Sequence, residues 1–513
     1  MPNRHPGPDP VRRQFLQRSV AASAGIALAP LFAGLAAGNA RARAHGDRLH
    51  HKALRPVADD ATGLELLRLP EGFRYTSLGW AGDAMNDGAV TPDRHDGMAV
   101  VDVDPATGAL TLMRNHERGP IPAGGPAPRL GGPGTPVYDD LAIPGAIDGI
   151  GGGTTAITVR DGELVDARGT LAGTIVNCAG GATPWGSWLS CEEAVLSDPD
   201  GAFAARFGRP ALSHGYVFEV PAPRLGTASA RPIVGMGRMK HEAVAVDPQD
   251  GTVYLTEDNG PHSGFYRYRP TDRSGRIGSL AAGGALEMLK VTGRDGADLR
   301  APLQGEQFRV EWVPIAEPDA DPESLVEAAP GLPILRGVGR SGPYLQGEAL
   351  GGARFARGEG CFEHAGVVYM VDTAGGAAGK GVVWAYEPAS GTLTALSVSP
   401  GQETANHPDN ITVSPRGGIL TCEDGGSFTN AEGDFVGARL LAICPRGNVT
   451  TFAENNTRID APLRDRPSIE PGDYRAGEFT GACFSPKGTT LFVNLQNPGI
   501  TVAITGPFGR FDL

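Results

Sequence analysis

The sequence predicts an all-β fold, a six-bladed β-propeller with irregular insertions, preceded by a cleavable signal segment. Three observations carry this. Gly and Pro number 75 and 43 among 513 residues, well above the roughly 7% and 5% of ordinary proteins. Hydrophobic residues still reach 40%, so many short strands joined by tight turns fit better than long helices or disorder. An apolar hairpin recurs six times, and polar residues fall at the same two places in every copy.

The first element is a targeting segment. Arg12-Arg13-Gln14-Phe15-Leu16 is followed by an uncharged stretch from Ser19 to Ala40 and by Ala42-Arg43-Ala44, a small-residue cleavage pattern. Together they predict a twin-arginine signal peptide over residues 1–44, and hence export of a folded protein to the periplasm or beyond by the twin-arginine translocation machinery. Residues 45–513 are expected to form a single β-propeller domain, with an N-terminal arm over about 45–90. No later segment is apolar enough to span a bilayer, and a monomer is expected.

The repeat supplies the blades. The clearest copy runs His241-Glu242-Ala243-Val244-Ala245-Val246, turns through Asp250-Gly251, and continues Val253-Tyr254-Leu255-Thr256-Glu257-Asp258. A second runs from Pro408-Asp409-Asn410 through Gly417-Gly418 to Thr421-Cys422-Glu423-Asp424. The others begin at His95-Asp96-Gly97-Met98, Thr174-Ile175-Val176-Asn177, Arg357-Gly358-Glu359-Gly360 and Phe479-Thr480-Gly481. Several are followed by a third strand, such as Phe265-Tyr266-Arg267-Tyr268.

Antiparallel pairing puts the start of the first strand beside the end of the second, so the polar residues of each hairpin share one end. Six blades around one axis then collect Asp96, Glu117, Cys191, Glu192, Glu242, Glu257, Glu359, Asp409, Asn410 and Glu423 at a single mouth. So many carboxylates in a low-dielectric funnel repel one another unless they are compensated, and bound cations are the direct remedy. A single Thr-Glu-Asp is equally a solvated turn; six copies in one phase point to a ring of metal ligands. The oxygen donors suit Ca²⁺. Cys191 is either a buried thiol or a ligand for a transition metal such as iron or zinc. Arg357 is placed at the same mouth by its phase, where its guanidinium either matches two phosphate oxygens or pairs with a neighbouring carboxylate.

Charge narrows the partners. The net charge is −13, and the first 44 residues carry six Arg against one Asp, so the rest is near −18. Nucleic acid is an unsuitable partner for that field, and an anionic substrate needs cations in the site. No G-x-S-x-G elbow, HExxH or P-loop is present. The six Cys form no CxxC pair and read mostly as buried free thiols.

Taken in order, several segments resemble the PhoX-like family of bacterial phosphatases, from about His95 to the C-terminus. They include His95-Asp96-Gly97-Met98, Arg114-Asn115-His116-Glu117, Asn177-Cys178, Cys191-Glu192-Glu193, His241-Glu242, Arg357-Gly358-Glu359-Gly360, Pro408-Asp409-Asn410, Cys422-Glu423-Asp424 and Asn497-Pro498-Gly499. The resemblance implies a periplasmic phosphomonoesterase acting on small-molecule phosphate esters, with iron (Fe³⁺) and calcium held in the propeller mouth. It implies Cys191, Glu242 and Glu359 as iron ligands, Arg357 as the phosphate clamp, and calcium on the remaining oxygen ligands. The chain is shorter than the well-known family phosphatases and diverges at residues 119–138 and 295–342, so the rim is expected to differ. The same ring would also serve a calcium-dependent lactonase or esterase, or a non-catalytic propeller whose metals only neutralise the mouth.

Overall fold

Six hairpins rich in Val, Ile, Leu and aromatic residues form the innermost strand pairs of six blades in the computed structural model, which describes residues 53–125, 129–329 and 334–513. The expected signal peptide lies outside the described residues. The inner strands are His95–Val103, Asn177–Ala182, His241–Val246, Gly358–His364, Pro408–Val413 and Phe479–Phe484. Each pairs antiparallel with the strand that follows it: Leu110–His116, Ser187–Glu192, Val253–Glu257, Val367–Asp372, Ile419–Glu423 and Thr490–Leu495. Every inner strand packs against the inner strands on either side, and the sixth returns to the first. The architecture is a closed six-bladed β-propeller.

Outer strands complete the blades unevenly. The first, fourth and fifth hairpins gain two further strands each, whereas the second gains only Val217–Pro221 among the described residues. The third blade extends to Gln307–Ile315, which pairs with the outer strand Thr392–Val398 of the fourth and joins the two into one nine-stranded sheet. Strand Arg74–Leu78, inside the expected N-terminal arm, pairs with Ile500–Thr505 and finishes the sixth blade, so the two ends of the chain close the ring. Leu67–Leu69 from the same arm extends the fifth blade. Two short helices, Ala202–Phe207 and Gly342–Ala349, lie in insertions; the second is capped by Ser341, whose Oγ accepts the Tyr344 N–H at 3.2 Å. None of the described helices is long and apolar enough to cross a membrane.

Apolar faces of adjacent blades fill the space between them. Phe73, Phe452, Phe484, Phe508 and Phe511 interlock edge to face between the fifth and sixth blades. Between the third and fourth, Tyr386 meets Tyr254 and Phe265 edge to face and Trp384 meets Phe355 in the same way. Each such side chain contributes about 1.5–3 kcal/mol by burial. The six Cys are unpaired, and five of them are buried.

One local irregularity repeats in every blade and positions the site. The register slips within the first residues of each inner strand, between His95 and Met98, Asn177 and Gly180, His241 and Val244, Gly358 and Cys361, Pro408 and Ile411, and Thr480 and Cys483. A bulge of this kind re-aims the side chain beside it. It also lets neighbouring backbones converge on the axis, which is why small residues follow. A Cβ added to Gly97 would lie 2.5 Å from the Ala179 Cα of the next blade, and one added to Gly360 would lie 2.6 Å from the Asp409 carbonyl oxygen. Gly97→Ala is therefore expected to destabilise the protein by about 1–3 kcal/mol through forced backbone separation, read as a lower midpoint of chemical denaturation with an unchanged slope.

Candidate metal centre

The six bulges turn the second residue of each inner strand toward the axis, giving Asp96, Cys178, Glu242, Glu359, Asp409 and Thr480 in ring order. The residue just past each partner strand stands beside it, giving Glu117, Glu193, Asp258, Thr373, Asp424 and Gln496. Among the described residues three groups of potential ligands result, each with its donor atoms within 4.8 Å of one another: Glu117, Cys178 and Glu193; Glu242, Glu359 and Asp409; and Asp409, Asp424 and Glu478. Asp409 belongs to two of them. Gln496 ties in a further acid, its Nε2 donating to Asp96 Oδ2 at 3.1 Å and Glu117 Oε2 at 2.9 Å. Cys178 Sγ lies 2.8 Å from Glu193 Oε2.

The electrostatics are those of crowded, desolvated acids. Burial, and then the neighbouring carboxylates, hold Asp96, Glu193, Glu242, Glu359 and Glu478 well above the usual carboxylate range. Burial and Asp424 push Asp409 up to about 7. Burial and Glu193 raise the Cys178 thiol in the same way. Arg357 is the counter-charge: Nε and Nη2 grip Asp258 at 2.8 and 2.5 Å, and Nη2 lies 2.9 Å from Glu359 Oε1. That last contact is an ion pair without hydrogen-bond alignment, and Glu359 Oε1 is buried with no donor of its own.

These donors fit metal ions. Carboxylate oxygens suit a hard cation such as Ca²⁺, and a thiol that burial disfavours as a free thiolate becomes a strong donor once a soft or borderline metal takes its proton's place. The orphaned Glu359 oxygen fits the same reading.

The residues singled out in the sequence divide in two. Asp96, Glu117, Glu242, Glu359 and Asp409 meet in the ring, with Arg357 beside them. Asn410 supports it, donating through Nδ2 to Asp409 Oδ1 at 2.7 Å and accepting the Gly481 N–H at 2.6 Å. Glu192, Glu257 and Glu423 are one position out of phase, and Cys191 two. Glu192 accepts the N–H groups of Ile175, Gly215 and Tyr216 and pairs with His214 at 2.6 Å. Glu257 accepts the Tyr266 hydroxyl at 2.7 Å and the Gly264 N–H at 3.2 Å. Glu423 is clamped by Arg439, both of its oxygens lying 2.7 Å from the guanidinium, and accepts the Asn406 N–H at 2.6 Å. Cys191 packs in the apolar core with Leu189, Val217 and Leu255 and lies outside all three groups.

At Glu192 and Glu423 the side chain that ends the strand is thus consumed in fastening it, Glu257 keeps one buried oxygen without a partner, and the following residue, in Glu193, Asp258 and Asp424, reaches the mouth. Cys178, Glu193, Asp258, Asp424 and Glu478 were missed in the sequence. For Cys178 the signal was present: it follows Asn177 as Glu242 follows His241.

Residues 51–129 and 146–499 match the family described as Alkaline phosphatase PhoX. The chain belongs to the PhoX alkaline phosphatase family. It is accordingly a phosphoric monoester hydrolase of a metal-dependent family. Among solved structures it is similar to the PhoX of Pseudomonas fluorescens in complex with vanadate, a transition state analogue, with 18% identity over 89% of this chain and 98% of that one and a TM-score of 0.59. That likeness is one of fold. A gluconolactonase of Xanthomonas campestris (12% identity, 89% and 98% covered, TM-score 0.34) and the PQQ domain of a pyranose dehydrogenase of Coprinopsis cinerea (10%, 88% and 100%, 0.30) are more distant. No curated protein matches the chain.

Two predictions separate the two kinds of acid. Glu423→Gln leaves the buried Arg439 without its counter-charge, so the protein should lose about 3–5 kcal/mol in denaturation, with or without chelator, while its metal content per folded chain is retained; Asp424→Asn should lower metal content, measured by elemental analysis, and lose little stability when both proteins are compared in chelator. The second concerns pH. A folded carboxyl with a raised pKa, as at Asp409 (3.8 to about 7), keeps a proton that the unfolded chain has released, so its contribution is present below pH 4 and lost as pH rises through 7. Chelated protein should therefore melt at progressively lower temperature between pH 5 and 8, and restoring divalent cation should reverse that trend.

Proposed function

We propose that this member of the family is a secreted metal-dependent phosphatase that hydrolyses phosphate monoesters, with iron and calcium at the propeller mouth and Arg357 as the phosphate clamp. The observation that carries the reading is the meeting of three acidic donor groups, one containing sulfur, with the Arg357 guanidinium at one end of the channel. Cys178, rather than Cys191, is the thiol suited to iron, with Glu242 and Glu359 across the ring; the all-oxygen group of Asp409, Asp424 and Glu478 suits calcium. A calcium-only lactonase has no use for a sulfur donor among these acids, which favours the phosphatase.

Cations held there supply Lewis acidity toward the phosphoryl group and reverse a potential that otherwise repels an anionic ester. Arg357 does the rest of the positioning. Asp258 holds its Nε edge, fixing the guanidinium plane, and the hydrogen bonds to Asp258 favour its charged form. Its backbone is held as well, because Asp372 accepts the Arg357 N–H at 2.9 Å. A guanidinium fixed in this way stabilises charge on the phosphoryl oxygens without reorganising during the reaction. Export through the twin-arginine route, proposed from Arg12 and Arg13, delivers the folded enzyme to extracytoplasmic esters.

Arg357→Ala should lower kcat/KM toward a chromogenic aryl phosphate by about 10²–10³-fold with metal content retained, and chelation should abolish turnover. Elemental analysis should find iron in the wild type, lost in Cys178→Ser and kept in Cys191→Ser. A fully metallated protein inert toward a broad panel of phosphate esters would refute the proposal.

A further inference from the structure

Beside the mouth lies a cavity of about 730 Å³ that shares Arg357 with it, a volume within the roughly 300–1,000 Å³ of small-molecule sites. Its other cationic wall residue is Arg300. The remaining wall is small, with Gly260, Pro261, Ala301, Ala374 and Gly376 among its residues and no aromatic side chain. Such a space has no surface on which a ring could stack, but it has two guanidinium groups facing one volume.

The guanidinium groups on this flank are matched by carboxylates, since Arg357 is paired with Asp258 and Glu359 and Asp372 acts on Arg300, so an anion would be recognised by where the two lining guanidinium groups stand and not by net charge. Asp298, also in the wall, takes Arg300 Nε at 2.8 Å and Nη2 at 2.7 Å, and it takes Arg354 Nη2 at 2.9 Å as well. One carboxylate thus serves two guanidinium groups. The segment is held rather than loose. The Arg300 carbonyl accepts the Gly376 N–H at 2.8 Å, the Ala297 carbonyl accepts the Arg354 N–H at 2.9 Å, and the Arg354 carbonyl accepts the Leu299 N–H at 2.9 Å. The two lining arginines, Arg300 and Arg357, are thus fixed on the blade framework, oriented by Asp298 and Asp258 respectively, and each side chain is 37% exposed.

We infer that this cavity is a leaving-group subsite, and that Arg300 gives the enzyme a preference for phosphate monoesters whose leaving group carries a second anionic group, a carboxylate or a second phosphate. The inference rests on the phosphatase reading above. With Arg357 on the transferred phosphoryl group, Arg300 is the other guanidinium that lines the cavity and can meet the second charge. A neutral leaving group gains nothing from it.

The test compares esters matched in size. For metal-loaded wild-type enzyme, kcat/KM should be higher for 3-phosphoglycerate than for glycerol 1-phosphate, and higher for fructose 1,6-bisphosphate than for fructose 6-phosphate; the first pair reads carboxylate and the second phosphate. Arg300→Gln, with folding checked by its melting temperature, should reduce these ratios about tenfold, chiefly through KM of the charged ester, and Arg300→Lys should restore most of the loss. Equal losses toward both members of each pair would show a merely structural residue and overturn the inference. A wild type that turns over the esters with neutral leaving groups without preferring those with anionic ones would overturn it too, leaving the phosphatase intact. Failure of every ester would refute the phosphatase reading itself.

Discussion

Like charges forced into proximity by backbone geometry determine what the mouth of this propeller can be. Six inner strands approach one axis only because bulges and small residues such as Gly97, Ala179, Ala243 and Gly360 let their backbones converge, and the same bulges turn Asp96, Cys178, Glu242, Glu359 and Asp409 inward. Two carboxylates about 4 Å apart repel by about 1 kcal/mol in bulk water and by about 4 at the effective dielectric of a protein surface. The fold cannot relieve this by rotating the acids outward without undoing the convergence. It has two remedies, protons or cations. The raised carboxyl groups are the signature of the first, and the donor chemistry is that of the second.

A second set of carboxylates makes the first set rigid. Glu192 and Glu423 hold the chain entering their blades through the N–H groups of Ile175 and Asn406, and Asp372 does the same through Ala356 and Arg357. Each of these strand-end acids finds enough donors to remain buried, which is what a buried carboxylate requires. The residues beside them, Glu193, Asp258 and Asp424, are then presented from fixed backbone instead of flexible loops. Arg357 benefits twice, since Asp372 fixes its main chain and Asp258 its guanidinium.

The repeat, the hairpin ends and half of the ring were legible in the sequence because strand pairing converts spacing directly into position: His241 sits opposite Glu257 and Pro408 opposite Glu423, as apolar hairpins with short turns require. Register to a single residue was not legible, because the bulge that decides which side chain faces the axis leaves only a small residue as its trace. That is how Glu192, Glu257 and Glu423 came to stand in for their successors, and Cys191 for Cys178. Glu478 precedes its strand and so breaks the rule of the repeat, the neighbouring Thr480 hydroxyl being spent on the His95 carbonyl at 2.7 Å. The closing strand Arg74–Leu78 was hidden for another reason. Its partner lies more than 400 residues away in sequence, beyond the reach of any local pattern.

Each donor group draws on more than one blade. Glu117 comes from the first and Cys178 with Glu193 from the second; Glu242, Glu359 and Asp409 come from the third, fourth and fifth; Glu478 of the sixth joins Asp409 and Asp424. None of the groups exists until neighbouring blades have docked, so an unfolded chain offers cations little, and whatever binds them stabilises the assembled ring by its full binding free energy. A cation bound here would act as a tie between blades as well as an electrostatic partner for an anionic ester. The acids are then more than a source of strain, because the negative potential that sets the carboxylates against one another would also attract a cation, and attraction of that cation to acids from several blades would hold those blades together.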